Sequence, residues 1–319
     1  SQIGPILVLD RDGGPPRTLP RQADGTASVL AFGPRNQVLI TGGSGQSLRL
    51  WSLPDLREIR TVPLGGVRTW WGQVRGDTLF VVTTTSSEGG RPGVIQALTL
   101  PDGELRTVGV NRPHENVRGV DPSGTLLHFS RGGAFGFRPL GGGPEEILGS
   151  TDVFRELAFS PKRDQIAVLD TSSGETRLLA RTRPQAPPLR VLRGPANDGG
   201  HGFTLFDREG RHLTQAGPSN SVHLWDLEEF PDARPAVLGR PGQSPFRIGD
   251  FTPDARWLIS SAGGQGAIEF WAVSAPRRRE LPRPTGWMAF TADGRWLAVC
   301  GGAPLRLLPV RAAAGSARH

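Results

Sequence analysis

Ser221-Val222-His223-Leu224-Trp225-Asp226-Leu227 is an alternating strand that closes on a tryptophan, and it returns in weaker form at 47–53 and 267–273. Alternation with a period of two is the mark of a strand with two unlike faces. A stretch that recurs at wide intervals is the mark of a chain built from repeats. The search therefore runs outward from this stretch, looking for what surrounds each copy.

A second pattern precedes each copy: an apolar anchor, a polar turn, and an aliphatic residue at the eighth position. It reads Phe32-Gly-Pro-Arg-Asn-Gln-Val-Leu39, Val120-Asp-Pro-Ser-Gly-Thr-Leu-Leu127 and Phe159-Ser-Pro-Lys-Arg-Asp-Gln-Ile166. It continues at Phe206-Asp-Arg-Glu-Gly-Arg-His-Leu213, Phe251-Thr-Pro-Asp-Ala-Arg-Trp-Leu258 and Phe290-Thr-Ala-Asp-Gly-Arg-Trp-Leu297. A degenerate copy, Gly72-Gln-Val-Arg-Gly-Asp-Thr-Leu79, fills the remaining gap and brings the units to seven. Each unit then supplies a third strand, whose tryptophan position holds Trp51, Leu98, Arg138, Leu179, Trp225, Trp271 and Leu308 in turn. A short fourth strand follows, as at 57–64, 104–108, 189–192 and 236–238. Four antiparallel strands per unit of about 40 to 45 residues is the pattern of a propeller blade. The expectation is an all-β, seven-bladed β-propeller of four-stranded antiparallel blades, one domain over 1–311 with a tail at 312–319.

On these residues the chain resembles a WD40-repeat β-propeller of a divergent, bacterial type, over nearly its whole length. A Trp-Asp pair survives at Trp225-Asp226, with Trp51-Ser52 and Trp271-Ala272 as near forms. The departures are as specific. The Gly-His pair of the family should stand nine residues before each anchor, where the chain has Ala23, Pro63, Asn111, Ser150, Asn197, Gly242 and Leu281. The tight-turn aspartate that partners that histidine is missing as well. The resemblance implies a scaffold or sensing module, and bacterial relatives of this kind are often fused behind a serine/threonine kinase or a signalling ATPase.

Ring closure leaves its own mark. The last unit ends with a third strand at 305–310 and lacks a fourth, and Arg17-Thr18-Leu19-Pro20 matches the fourth strand Arg60-Thr61-Val62-Pro63. Segment 1–22 is therefore expected to close the last blade, leaving no open sheet edge there. Ile6–Asp10 then looks like a surplus third strand: a lead-in from an upstream domain, or part of another blade. The absence of an initiator Met suggests a processed chain or an excised domain.

Composition agrees with many short strands: 44 Gly and 29 Pro among 319 residues, with 36% hydrophobic residues between the turns. The single Cys300 permits no internal disulfide and suggests a reducing, cytoplasmic setting. No stretch has the length of a membrane span or the order of a signal peptide, so no membrane association is expected. Net charge is +7, carried almost wholly by arginine, since Lys162 is the sole lysine. Arginine supplies planar donors suited to carboxylate or phosphate.

The search for chemistry excludes more than it finds. The six histidines lie in different units without metal-ligand spacing, and no cysteine pair joins them. No phosphate-cradling loop or nucleophile elbow is present. Asp77, Asp164, Asp207, Asp254 and Asp293 recur in first hairpin turns, where aspartate accepts backbone hydrogen bonds. No enzyme activity, cofactor or metal is expected. Four residues before the anchors stand Ser28, Arg68, Asn116, Arg155, Gly202, Arg247 and Gly286, with Trp70, His201, Phe203 and Trp287 nearby. Candidate partner-binding residues are thus Arg68, Trp70, Asn116, Arg155, His201, Phe203, Arg247 and Trp287. Such an arginine and aromatic rim suits an acidic or otherwise anionic partner, either a separate protein or an upstream domain of the same polypeptide. The alternative is nucleic acid on the opposite rim, through Arg35, Arg75, Arg163, Arg208, Arg211, Arg256, Arg295 and the run 277–279. There the turn aspartates interleave with the arginines and dilute their field.

Overall fold

A computed structural model describes residues 6–10, 17–19, 27–43, 47–53, 55–64, 68–84, 93–150, 155–170, 173–194, 203–216, 222–228, 235–238, 246–252, 254–262, 268–274, 278–281, 288–291, 293 and 296–300. The described residues are all-β apart from one short 3-10 turn at Pro34–Asn36. The N-terminal strands are β1 (Ile6–Asp10) and β2 (Arg17–Thr18). The first sheet follows as β3 (Ala27–Phe32), β4 (Val38–Gly43), β5 (Ser47–Ser52) and β6 (Glu58–Pro63). The second holds β7 (Arg68–Arg75), β8 (Thr78–Thr84), β9 (Gly93–Thr99) and β10 (Leu105–Asn111). The third holds β11 (Asn116–Val120), β12 (Leu126–Arg131), β13 (Ala134–Pro139) and β14 (Glu146–Ser150), and the fourth β15 (Arg155–Phe159), β16 (Gln165–Asp170), β17 (Glu175–Ala180) and β18 (Arg190–Arg193). The fifth is β19 (Phe203–Phe206), β20 (His212–Ala216), β21 (Val222–Asp226) and β22 (Ala236–Leu238), and the sixth β23 (Phe246–Phe251), β24 (Trp257–Ala262), β25 (Ile268–Ala272) and β26 (Arg278–Leu281). In all of these, each strand pairs antiparallel with the next in sequence.

The pairing register explains why the repeat is legible. The anchor pairs directly with the eighth residue at Phe32↔Leu39, Val120↔Leu127, Phe159↔Ile166, Phe206↔Leu213, Phe251↔Leu258 and Phe290↔Leu297. The tryptophan position lies on the same rung, as in Leu39↔Trp51, Leu127↔Arg138, Leu213↔Trp225 and Leu258↔Trp271. One polar or small residue after the anchor then ties the hairpin, with its N–H donating across the turn at Gly33, Asp121, Ser160, Asp207 and Thr252.

The second unit departs from this register. Its hairpin turns in two residues, Gly76 and Asp77, with Gly76 in the left-handed region at φ 55°, and Leu79 pairs with Val74. The anchor there is Val74, two residues beyond the Gly72 that the eight-residue spacing selects.

The last sheet corrects a second expectation. Its strand order is β2, β1, β28 (Trp296–Cys300) and β27 (Met288–Phe290), with Ile6↔Cys300 and Asp10↔Trp296 at the ends of the β1 pairing. The N-terminus thus supplies the third and fourth strands together, and Ile6–Asp10 is not surplus. Val8 lies opposite Ala298, and both are fully buried, which gives this pairing an apolar face to hide. The third strand expected at 305–310 and the tail 312–319 lie outside the described residues.

The core lies between sheets. Ile6, Val8, Leu19 and Ala298 of the last sheet pack with Phe32, Leu39 and Trp51 of the first. Comparable clusters join the first sheet to the second, the second to the third, the third to the fourth, the fourth to the fifth and the fifth to the sixth. Trp225 packs on Ala167, Leu178 and Leu192 of the fourth sheet, and Trp271 on Ala216, Val222 and Leu224 of the fifth. Deleting such a buried indole costs about 3–5 kcal/mol.

Candidate functional site

The first strands begin together at one end of the sheets. Neighbours in the structure are β3 and β7, β7 and β11, β15 and β19, β19 and β23, β23 and β27, and β27 and β3. Between β11 and β15, Arg118 Nη1 stands 3.7 Å from Glu156 Oε1. Asn116, Phe203 and Arg247 occupy the third rung above their anchor pairs, Arg155 the fourth and Arg68 the fifth. The displaced register of the second unit lifts Arg68 and puts Trp70 four residues before the corrected anchor, at the bulge between Thr69 and Trp71. Asn116 is exposed and Phe203 half-buried. For Arg68, Trp70, Arg155 and Arg247 the backbone alone is described, and His201 and Trp287 lie outside the described residues.

The first strands carry further charges: Arg118, Glu156 and Asp250, which the sequence did not single out, and Arg75, expected on the opposite rim, which stands beside the two-residue turn that ends β7. A bulge between Val117 and Gly119 sets Arg118 off from the regular alternation of β11. Burial pushes the Glu156 carboxyl up to about 7, against the pull of Arg118. Burial also takes the His128 imidazole down to about 3, with the Arg118 charge adding to it, so His128 is neutral at physiological pH. Asp250 has water-accessible surface, yet burial pushes its carboxyl up to about 6, opposed by Arg75. Arg75 is itself disfavoured by burial and held by Asp121 and Asp250, and its Nε donates to the Val120 carbonyl at 3.1 Å. Gln73 takes the Val120 N–H at 3.0 Å, so β7 grips β11 from both sides of one residue.

At the opposite end most described cations are already engaged. Lys162 meets Glu209 at 2.5 Å, Arg163 meets Glu228 at 2.8 Å, and Arg211 meets Asp226 at 2.5 Å and Glu228 at 3.4 Å. The turn aspartates act as turn locks. Burial works against ionising Asp207, but hydrogen bonds from His212 and Arg211 outweigh it and hold the carboxyl below its ordinary range. Asp254 accepts from Thr252 Oγ1 at 2.6 Å and the Arg256 N–H at 3.1 Å, and Asp293 accepts from Thr291 Oγ1 at 2.5 Å.

Residues 181–188, which connect β17 to β18, form a strap between sheets. Arg181 Nη1 reaches Asp121 at 3.0 Å, while Gln185 Nε2 donates to the Ile147 carbonyl at 2.9 Å and to Glu146 at 2.8 Å. The strap thereby covers part of the β14 edge.

No family model and no curated protein matches the chain. Among the described residues no group of three or more His, Cys, Asp or Glu could hold a metal ion, and no helix is long and apolar enough to cross a membrane. The nearest approach to a catalytic pair is His212 Nδ1 on Asp207 at 2.7 Å, with Asp226 3.8 Å from Nε2. Its surroundings are a hairpin turn and the Phe251 ring, and no hydroxyl or thiol stands on Nε2 in the described contacts.

Proposed function

We propose that the four-stranded sheets are the seven blades of a divergent WD40-like β-propeller closed by its N-terminal strands, acting as a non-catalytic protein-interaction or sensing module. The shared cores between consecutive sheets and the neighbouring first strands support the architecture. The rim formed where the first strands begin is the binding surface, and its partner is an acidic protein segment, in another protein or another domain of the same polypeptide. One observation carries this reading: described arginines of the opposite end are taken up within the fold, while the first strands bring Asn116, Arg118 and Phe203 to this end. Arg163 and Arg211 at the opposite end are consumed in ion pairs within the fold. The backbones of Arg68, Arg155 and Arg247 stand toward the same ends of the first strands as Asn116 and Phe203. An acidic segment would gain charge-assisted hydrogen bonds from guanidinium groups at this end. The ion pairing of Arg163 and Arg211 argues against nucleic acid on the opposite rim, where neutralised arginines release few counterions.

The test is fluorescence anisotropy with a fluorescein-labelled octaglutamate peptide at low salt. Arg155→Ala with Arg247→Ala should weaken binding at least about tenfold, the loss of two charge-assisted contacts, while Arg163→Ala leaves it unchanged. Equal binding by all three proteins, with thermal unfolding unaltered, would remove this rim from consideration.

A further inference from the structure

Glu156 lies on the third rung above its anchor pair, level with Asn116, and Arg118 stands at the bulge just below, two residues after Asn116. Arg118 retains 33% of its side-chain surface and Glu156 only 14%, so the cation is the more exposed member of the pair. At 3.7 Å the two attract without a hydrogen bond, which leaves the buried carboxylate poorly compensated.

On the reading of this rim as the binding surface, we propose that Glu156 is a proton-controlled countercharge for it. Ionised, Glu156 offsets the Arg118 charge and weakens the hold on an acidic segment; protonated, it withdraws that offset and the hold tightens.

The groups around Glu156 single it out as the one that changes. β11 contributes the Arg118 guanidinium. His128 on β12 faces Arg118 and stays neutral, since burial keeps its imidazole near 3. On β16 the residue directly opposite is Leu169, and the neighbouring Asp170 is bound to its own turn through the Ser173 N–H. β19, packed against β15, reads Phe203-Thr-Leu-Phe206 and has no ionisable side chain. With the carboxyl raised to about 7, Glu156 is protonated below neutral pH and ionised above it. The sign follows: binding of an acidic segment tightens as pH falls through about 7.

The experiment measures octaglutamate anisotropy at pH 6, 7 and 8 and constant ionic strength, for the unmodified chain and Glu156→Gln. The peptide carboxyls stay ionised over this range, and the histidines respond alike in both proteins. Carbon-13 NMR of the glutamate carboxyls, with Glu156→Gln for assignment, follows the proton directly. The unmodified chain should bind about fivefold more tightly at pH 6 than at pH 8, the worth of one partly exposed charge pair. Glu156→Gln should bind tightly at pH 8 and lose most of the dependence. If Glu156→Gln keeps the dependence of the unmodified chain, or if the Glu156 carboxyl titrates in the ordinary carboxylate range, the countercharge is refuted while the rim stands. If neither protein binds the peptide at any pH, the rim itself is wrong and the coupling falls with it, whatever the NMR midpoint.

Discussion

Arg138 shows how one residue can replace another by a different kind of force. It occupies the position held by Trp51, Trp225 and Trp271 elsewhere, and it is as buried as they are, at 2% exposure. A tryptophan there fills the seam between sheets with apolar area. Arg138 fills it with hydrogen bonds: Nε and Nη2 meet Glu115 Oε1 and Oε2 at 3.0 and 2.9 Å, and Nη2 also donates to the Val110 carbonyl at 2.7 Å. Glu115 is completed by the Arg112 N–H at 2.9 Å. A fully buried pair of this sort gives little net stability over an apolar pair, yet breaking it strands a charge. Arg138→Ala should therefore lower stability by about 3–5 kcal/mol in urea unfolding, whereas Arg138→Met combined with Glu115→Leu should lose much less. A loss below about 1 kcal/mol for Arg138→Ala would show that Glu115 finds other partners. The sequence exposed the position but not the partner, because Glu115 lies in a connection between sheets that follows no repeat.

At the scale of elements, legibility followed turn length. Where four residues separate the ends of the first hairpin, as in Asp121 to Leu126, anchor and eighth residue face each other and the motif reads true. Where Gly76 and Asp77 turn alone, the same count slips by two and assigns Gly72 the place of Val74. Rim residues counted from the anchor slip with it, which is why Arg68 stands above its intended level. Bulges had no sequence signal of their own, so Arg118 went unnoticed until β11 was paired. Glycines mark some of these irregularities afterwards. At the shift between β13 and β14, a Cβ on Gly136 would lie 2.0 Å from the Glu146 carbonyl oxygen. Backbone cannot yield as a side-chain tip does, so Gly136→Ala should destabilise by about 1–3 kcal/mol and speed amide exchange in β14 before other strands. Unchanged exchange in Glu146–Ser150 would mean that the β13 pairing has slack at this point.

For the whole molecule, the decisive join is between the chain's first strands and its last described ones. Local spacing revealed every sheet whose strands are consecutive, because each hairpin brings its own partners together. It misread the last sheet, whose third strand comes from nearly three hundred residues away in sequence. Pattern matching could show that Arg17-Thr18-Leu19 resembled a fourth strand; only pairing shows that Ile6–Asp10 fills the place beside it. The same join gives Ile6, Val8 and Leu19 their seat against Phe32 and Trp51, so the first sheet depends on the last. The pairing of β1 with β28 can be tested with the chain's own cysteine. Ile6 lies directly opposite Cys300, the sole cysteine, and its carbonyl accepts from Leu19 on the far side. It therefore faces β28 at a non-hydrogen-bonded position, where Cα atoms approach to about 4.5 Å and a disulfide fits. Oxidised Ile6→Cys should form one intramolecular disulfide, read by intact mass, loss of both thiols and a link between the two terminal peptides, with the protein still monomeric on gel filtration. Two free thiols, or disulfides only between molecules, would show that β1 does not lie beside β28 and that the molecule is closed in some other way.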